Sequence, residues 1–390
     1  MNERVRRREL GGPDPLDRRL AATPSPVWGF LSLLWTRSAL GLAPSPTPAI
    51  IFLPLGALLG PRALGVLSTN LLADLDLVVT VGLAVLGILV GVALGRDIRT
   101  TPRLFAAASL ESLITIAAVA AAMAFFIPRT AVPIAAPLAV FALAAGLCAS
   151  ASSATSADPD SEPAAAIGTR VADLDDVLPI ALATCALLPG AAGGHAWLLV
   201  LAPIGVGLMV GSIGWLLFDR ADSAGERAVF VLGTIGLAGG AAAYLKVSPL
   251  EVGLVAGLCW TLAPGRADRI VQVDLGKVQH PLVVVLLLTA GALWVPSLAS
   301  VWLLAPYLLF RLAGKVAGAW ASASLADVGP ADLASYLMPP GVLAIAFGLN
   351  FHQLLPIPAG DVLLSTVGMG TAAFELFALA VLPRWRKGLS

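Results

Sequence analysis

The stretch "ADLDDVLPIALA" (172–183) places Asp173, Asp175 and Asp176 within four residues, and apolar sequence follows as far as Leu188. A carboxylate held away from water is costly unless it takes a proton or a cation, and it cannot take both. Such a group is by itself an exchange device. Consecutive helical positions diverge by about 100°, so Asp175 and Asp176 are expected to serve different neighbours, one in a cavity and one against a partner helix. Asp173 and Asp176 are three apart and share a face, which places Asp173 at the entrance. A buried acid wants a cation, and "PYLLFRLAGKVAGAW" (306–320) supplies Arg311 and Lys315, four residues apart on one face. Lys315 lies deep in an apolar run and is expected to pair with one of the two acids. Arg311 is expected to snorkel or to pair structurally. Glu111, in "SLESLITI", and Glu375, in "TAAFELFALAVL", are read as hydrogen-bonding groups of helix packing and accessory to the site. Carboxylate and backbone oxygens are hard ligands that suit an alkali cation.

These groups sit in a chain built for hydrocarbon. It is 58% hydrophobic and 12% charged, with mean hydropathy +0.89, where soluble domains carry roughly 25% charge. Continuous Ala/Leu/Val/Gly runs, without alternation, exclude a β-barrel and point to an all-α polytopic membrane protein. Glycine is frequent, at 39 residues, which lets helices approach closely. Net charge is zero, and nothing suggests nucleic acid. Cys148, Cys185 and Cys259 are isolated, the three histidines are scattered, and no hydrolase elbow, P-loop or zinc helix is present. The chain is not read as an enzyme, and no cofactor is expected. Two adjacent acids on one helix also do not match an intramembrane aspartyl protease, which needs facing carboxylates from different helices.

Apolar spans fall at 47–61, 72–95, 103–127, 133–155, 166–187, 194–218, 227–244, 248–264, 280–297, 299–321, 332–351 and 359–383. Loops with Arg96, Arg99, Arg103, Arg220, Arg227, Arg266, Arg269, Lys277, Arg384, Arg386 and Lys387 alternate with loops holding little beyond Arg62, Arg129 and Lys246. The first set is expected in the cytoplasm, with the C-terminal tail 384–390, which suits an inner (plasma) membrane protein. The polar tail 1–26 has six Arg against four acids and no apolar h-region close behind it, so no cleaved signal is expected. Twelve spans put that tail inside, in keeping with its charge. A thirteenth, from the stretch 27–46, puts it outside, so that stretch is expected at the interface or as a short extra helix.

Two interruptions recur at matching places in the halves. The fourth span ends in "ASASSATSADPDSEP" (149–163), which holds Ser152, Ser153 and Thr155. The eleventh contains "MPPGVLAIAFGLN" (338–350), with Pro339, Pro340 and Gly341. A helix must end or kink before Pro339. Interrupted helices in corresponding halves point to a midplane binding site.

With "ADLDDVLPI" (172–180), "RLAGKVAGA" (311–319), "PPGVLAIA" (339–346), "PLGALLGPRALGVLS" (54–68) and "KVSPLEVGLVAGL" (246–258), the sequence resembles bacterial sodium/proton antiporters of the monovalent cation:proton antiporter superfamily over most of 45–383. The resemblance implies an inverted repeat with two crossing broken helices. It implies a core of helices from about 103–187 and 299–383, and dimerisation helices from about 47–95 and 194–297. It further implies elevator-like alternating access in a homodimer, Asp176 as carrier of ion and proton, and Asp175 paired with Lys315. The cargo is then Na⁺, Li⁺ or K⁺ against protons across the lipid bilayer, with Na⁺ first. Because Asp175 and Lys315 add a second titratable pair, more than one proton is expected per cation, and the exchange is expected to be electrogenic. Where many relatives carry Glu after the Gly of the second break, this chain has Val342. The alternatives are a K⁺/H⁺ exchanger or efflux protein of the same fold, and a degenerate, non-transporting membrane scaffold or sensor.

Overall fold

The computed structural model describes residues 48–129, 136–152, 163–190, 196–218, 220–221, 223–263 and 267–389. The expected polar tail, the 27–46 segment, and Ser153 and Thr155 of the first break lie outside these residues. In chain order the helices are α1 (Pro48–Leu59), α2 (Thr69–Thr100), α3 (Pro102–Phe126), α4 (Leu138–Ser150), α5 (Pro163–Leu174) and α6 (Val177–Ala181). They continue with α7 (Ala196–Phe218), α8 (Ala224–Leu245), α9 (Pro249–Leu262), α10 (Ala267–Ala292) and α11 (Leu298–Ala326). The last are α12 (Pro330–Leu337), α13 (Val342–Leu354) and α14 (Ala359–Leu389). Every expected apolar span coincides with one of these helices or with a pair separated by a break, and the described residues contain no strand. Five of the helices are long and apolar enough to cross a membrane.

Local chemistry sets many of the boundaries. Pro102, Pro249 and Pro330 occupy first-turn positions, where a missing N–H costs nothing. Ser223, Ser248 and Ser297 cap α8, α9 and α11 by accepting from the backbone N–H three residues on. One expectation needs correction. The Asp pair does not lie inside a continuous helix: α5 ends at Leu174, Asp175 and Asp176 form a turn, and α6 starts at Val177. Pro179 explains part of this, because it has no N–H to give the Asp175 carbonyl. The Ser112 hydroxyl donates to that carbonyl instead, at 2.7 Å.

The helices form two packed groups. In one, α3 packs on α4, α5 and α11, α11 on α12 and α14, and α13 on α4 and α14; we call it the core. In the other, α2 packs on α8, α9 and α10, α7 on α8 and α9, and α1 on α10; we call it the panel. Within the panel, α2 and α9 meet backbone to backbone. A Cβ on Gly87 would sit 2.1 Å from the Leu250 carbonyl oxygen, and one on Gly253 would sit 2.1 Å from that of Ala84. Each helix carries a second glycine one turn on, Gly91 and Gly257, in the same relation to its partner, the small-xxx-small contact of membrane helices.

The order of a long helix, an interrupted span and a further helix occurs twice in the core, opening with α3 and with α11. The two long helices are antiparallel: Gly314 lies against Thr115, and Gly318, one turn further along α11, lies against Glu111, one turn back along α3. This is the inverted repeat. The outer side of α11 exposes Trp302, Leu309 and Trp320, a face suited to lipid.

Candidate functional site

The two interruptions meet. α4 ends at Ser150 with Ala151 extended, α12 ends at Leu337, and Ser152 and Pro340 form an isolated antiparallel bridge. Two half-helices therefore bring their C-terminal carbonyls together. Such ends carry partial negative charge and want cations or donors. Arg311 supplies both: Nη2 donates to the Ala151 carbonyl at 2.8 Å, and Nη1 donates to that of Met338 at 3.1 Å. It does not snorkel; it is 1% exposed, with its guanidinium 4.9 Å over the Phe374 ring. The Ser152 hydroxyl donates to the Leu337 carbonyl at 2.8 Å.

One turn further along α11, Lys315 is fully buried. Its Nζ lies 2.9 Å from Asp175 Oδ2 and 3.1 Å from Glu111 Oε1, and it also donates to the Ser150 carbonyl. The three N–H donors of the ammonium thus face three acceptors. Glu111 accepts in addition from the Thr115 hydroxyl at 2.8 Å. The sequence reading paired Lys315 with a single acid and left Glu111 as an accessory packing group. The structure places Glu111 beside the ammonium as a second carboxylate. Gly314 and Gly318 make this reach available, because α11 could not otherwise lie so close to α3.

Asp176 faces elsewhere. It is 2% exposed and borders a small cavity of about 10 Å³ together with Ser152, Gly341, Val342 and Leu343 from the crossing, and Leu86 and Val283 from the panel. That is room for about one water-sized particle. The Ser152 backbone N–H reaches the Asp176 carboxylate, but Asp176 Oδ1 and Asp175 Oδ1 have no donor. Buried acceptors are nearly always paired, so the unpaired Asp176 oxygen, on a side chain that borders the cavity, has room there for a proton or a hard cation. The charges point the same way. Glu111 and Asp175 balance Arg311 and Lys315, and Asp176 is the carboxylate left over. The five groups of this cluster sum to zero when one carboxylate holds a single positive charge, and Asp176 is the one without an ion pair.

The remaining expected residues surround this cluster or, like Glu375, lie apart from it. Asp173 is half-buried in the last turn of α5, two residues before Asp175. Glu375 accepts from the Ile50 backbone N–H at 3.1 Å, near the start of α1, a favourable place for an acid. Pro339 and Pro340 form the second break, next to Gly341, the residue that caps α13. Sequence reasoning did not bring together two further pairs, although Glu251 reads there as a hydrogen-bonding group of helix packing. Glu251 Oε2 accepts from the Thr184 backbone N–H at 3.3 Å and from the Thr184 hydroxyl. The Ser248 hydroxyl donates to Asn350 Oδ1 at 3.1 Å. A larger cavity, about 570 Å³, opens at the Arg62 end of the bundle and is bordered by Asp76, Val79, Leu349, Gln353 and Asp361 but not by Asp176.

No family model matches the chain, and no curated protein matches it. Among solved structures, it is similar to the sodium proton antiporter MjNhaP1 from Methanocaldococcus jannaschii, solved at pH 8. The TM-score is 0.59 at 17% sequence identity, and the match covers 85% of this chain and 92% of the other. The fold of this chain is that of a sodium/proton antiporter.

Proposed function

We propose that the protein is a secondary antiporter that exchanges a monovalent cation, Na⁺ first, for protons, with Asp176 as the shared site. The single observation that carries this reading is the leftover charge. In the cluster of five buried ionisable groups at the crossing the charges sum to one negative, and Asp176, the carboxylate of that cluster with no ion pair, borders a cavity between the two broken helices. A proton or an alkali cation supplies the missing charge, and each excludes the other. Access to the two sides then requires the core, which holds Asp176, to move against the panel, which closes the cavity with Leu86 and Val283. Elevator-like movement in a homodimer is consistent with the packing of the chain into two helix groups.

Electrogenic exchange depends on Lys315. If Asp175 turns to the cation, the ammonium loses one of two carboxylates. Release of one Lys315 proton together with the Asp176 proton then sends two protons against one cation, and one net charge crosses per cycle. Glu111, still beside the amine, is the group that this proton must pass.

The test is purified protein in proteoliposomes loaded with a pH dye and pulsed with Na⁺, Li⁺ or K⁺ in turn. Proton movement driven by a cation supports antiport, and the order of responses gives the selectivity. A signal for K⁺ alone makes it a K⁺/H⁺ exchanger. No response to any cation leaves a membrane scaffold of the same fold.

A further inference from the structure

The panel and core are joined near the Asp176 cavity by polar side chains that the exchange chemistry does not use. Ser248 and Glu251 belong to the first turn of the panel helix α9, where the Ser248 hydroxyl also accepts from the Glu251 backbone N–H at 3.4 Å. From that one turn, Glu251 holds Thr184 and Ser248 holds Asn350. Thr184 lies on the segment that starts at Asp176, two residues after Leu182, which caps the end of α6. Asn350 lies on α13, whose first residues, Val342 and Leu343, border the cavity. One panel turn therefore grips both core segments that carry the Asp176 site. All four side chains are buried. Next to Asn350, Gln353 on α13 donates to Asp76 Oδ1 on α2 at 2.7 Å, beside the cavity at the Arg62 end. The grip thus lies on the side where the larger cavity approaches the site.

The Asn350 amide has a second feature. Its Nδ2 is buried and has no acceptor. A buried donor without a partner raises the free energy of the state that contains it, so this state is closed without being locked.

We propose that the first turn of α9 is a latch. Ser248 and Glu251 are its panel half and Asn350 and Thr184 its core half, and together they hold the panel closed over Asp176 at the end of the bundle that carries Lys246. These are positioning residues, since none touches the cation site. The inference rests on the antiporter reading only for its purpose; the closure itself is a property of the fold.

The experiment measures access, not transport. Leu343→Cys, at the cavity wall, is introduced with Cys148, Cys185 and Cys259 changed to Ala. Inside-out and right-side-out vesicles are treated with a membrane-impermeant maleimide. Thr184→Val and Asn350→Leu each remove a hydrogen bond while keeping volume. Each should raise the labelling rate from the Lys246 side by about fivefold, the equivalent of about 1 kcal/mol, with no change from the other side. Glu251→Gln, which keeps an acceptor for Thr184, should give a smaller rise and serves as the test if Thr184→Val does not fold. Unchanged labelling from both sides, in variants that elute and melt like the parent, overturns the latch. So does an equal rise from both sides, which marks general loosening. If labelling shifts as expected while no cation drives proton movement, the latch stands and the antiporter reading falls.

Discussion

At the scale of single residues, the division of labour between the adjacent acids follows from their partners. Asp175 is tied to Lys315 at 2.9 Å, whereas Asp176 Oδ1 has no donor. Asp176→Asn should abolish cation/proton exchange in proteoliposomes while the protein stays folded, because an amide neither releases a proton nor carries a full charge. Competition at one carboxylate also fixes the sign of a pH effect. The apparent KM for the cation should rise as pH falls, since protons occupy the same oxygens, and a KM that ignores pH would separate the two sites. Lys315→Ala should lower the melting temperature sharply, because breaking a buried ion pair costs about 3–5 kcal/mol. Two carboxylates are left exposed to each other by that change, so Asp175→Asn or Glu111→Gln in the same chain should each recover part of the loss. Strictly additive losses would show that the three do not interact. That Lys315 pairs with one of the two adjacent acids was legible in the residues, because a deep lysine needs an acid; that the acid is Asp175 was only what the resemblance implied. The part of Glu111 was not legible. It lies 204 positions from Lys315, and only the close approach of α11 to α3 shows that it reaches the ammonium.

At the scale of elements, the apolar spans and both interruptions could be read directly, since Pro339 and Pro340 cannot continue a helix and "ASASSATS" is too polar to lie in lipid. The turn at Asp175 and Asp176 could not be read. It depends on Pro179 removing one donor and on Ser112, from another helix, replacing it. The glycines separate into two kinds in the same way, by context. A Cβ on Gly318 would lie 2.8 Å from Glu111 Cγ, but one on Gly236 meets nothing within 4 Å. Gly318→Val should force α11 away from α3, lowering both thermal stability and exchange. Gly236→Ala on α8 should be neutral or should stabilise by up to about 1 kcal/mol, the helix-propensity difference. Equal behaviour of the two variants in thermal melts would remove the claim that close approach at Gly318 builds the site.

At the scale of the whole molecule, net charge movement is the property that matters. If Lys315 and Asp176 both release protons, a membrane potential should drive the exchange, at about 2.3 kcal/mol per net charge per 100 mV. Valinomycin with a set K⁺ gradient, and Na⁺ or Li⁺ as cargo, should change both rate and end-point. Indifference to the potential would mean that Glu111 keeps the Lys315 proton in the core and that the cycle is electroneutral. The all-α membrane class followed from composition and the apolar spans, whereas a division into two helix groups was only what the family resemblance implied. The panel–core contacts followed from neither, because Ser248, Glu251, Thr184 and Asn350 come from segments that only the folded chain brings together.

The claim that one carboxylate holds either a proton or a cation is tested most directly without a membrane. Purified protein in weakly buffered detergent, with a pH indicator, is titrated with Na⁺ or Li⁺ against choline as control. The parent should release protons as the cation saturates it, and Asp176→Asn should release none. Equal proton release from both would contradict the account, because the exchanging group would then not be Asp176.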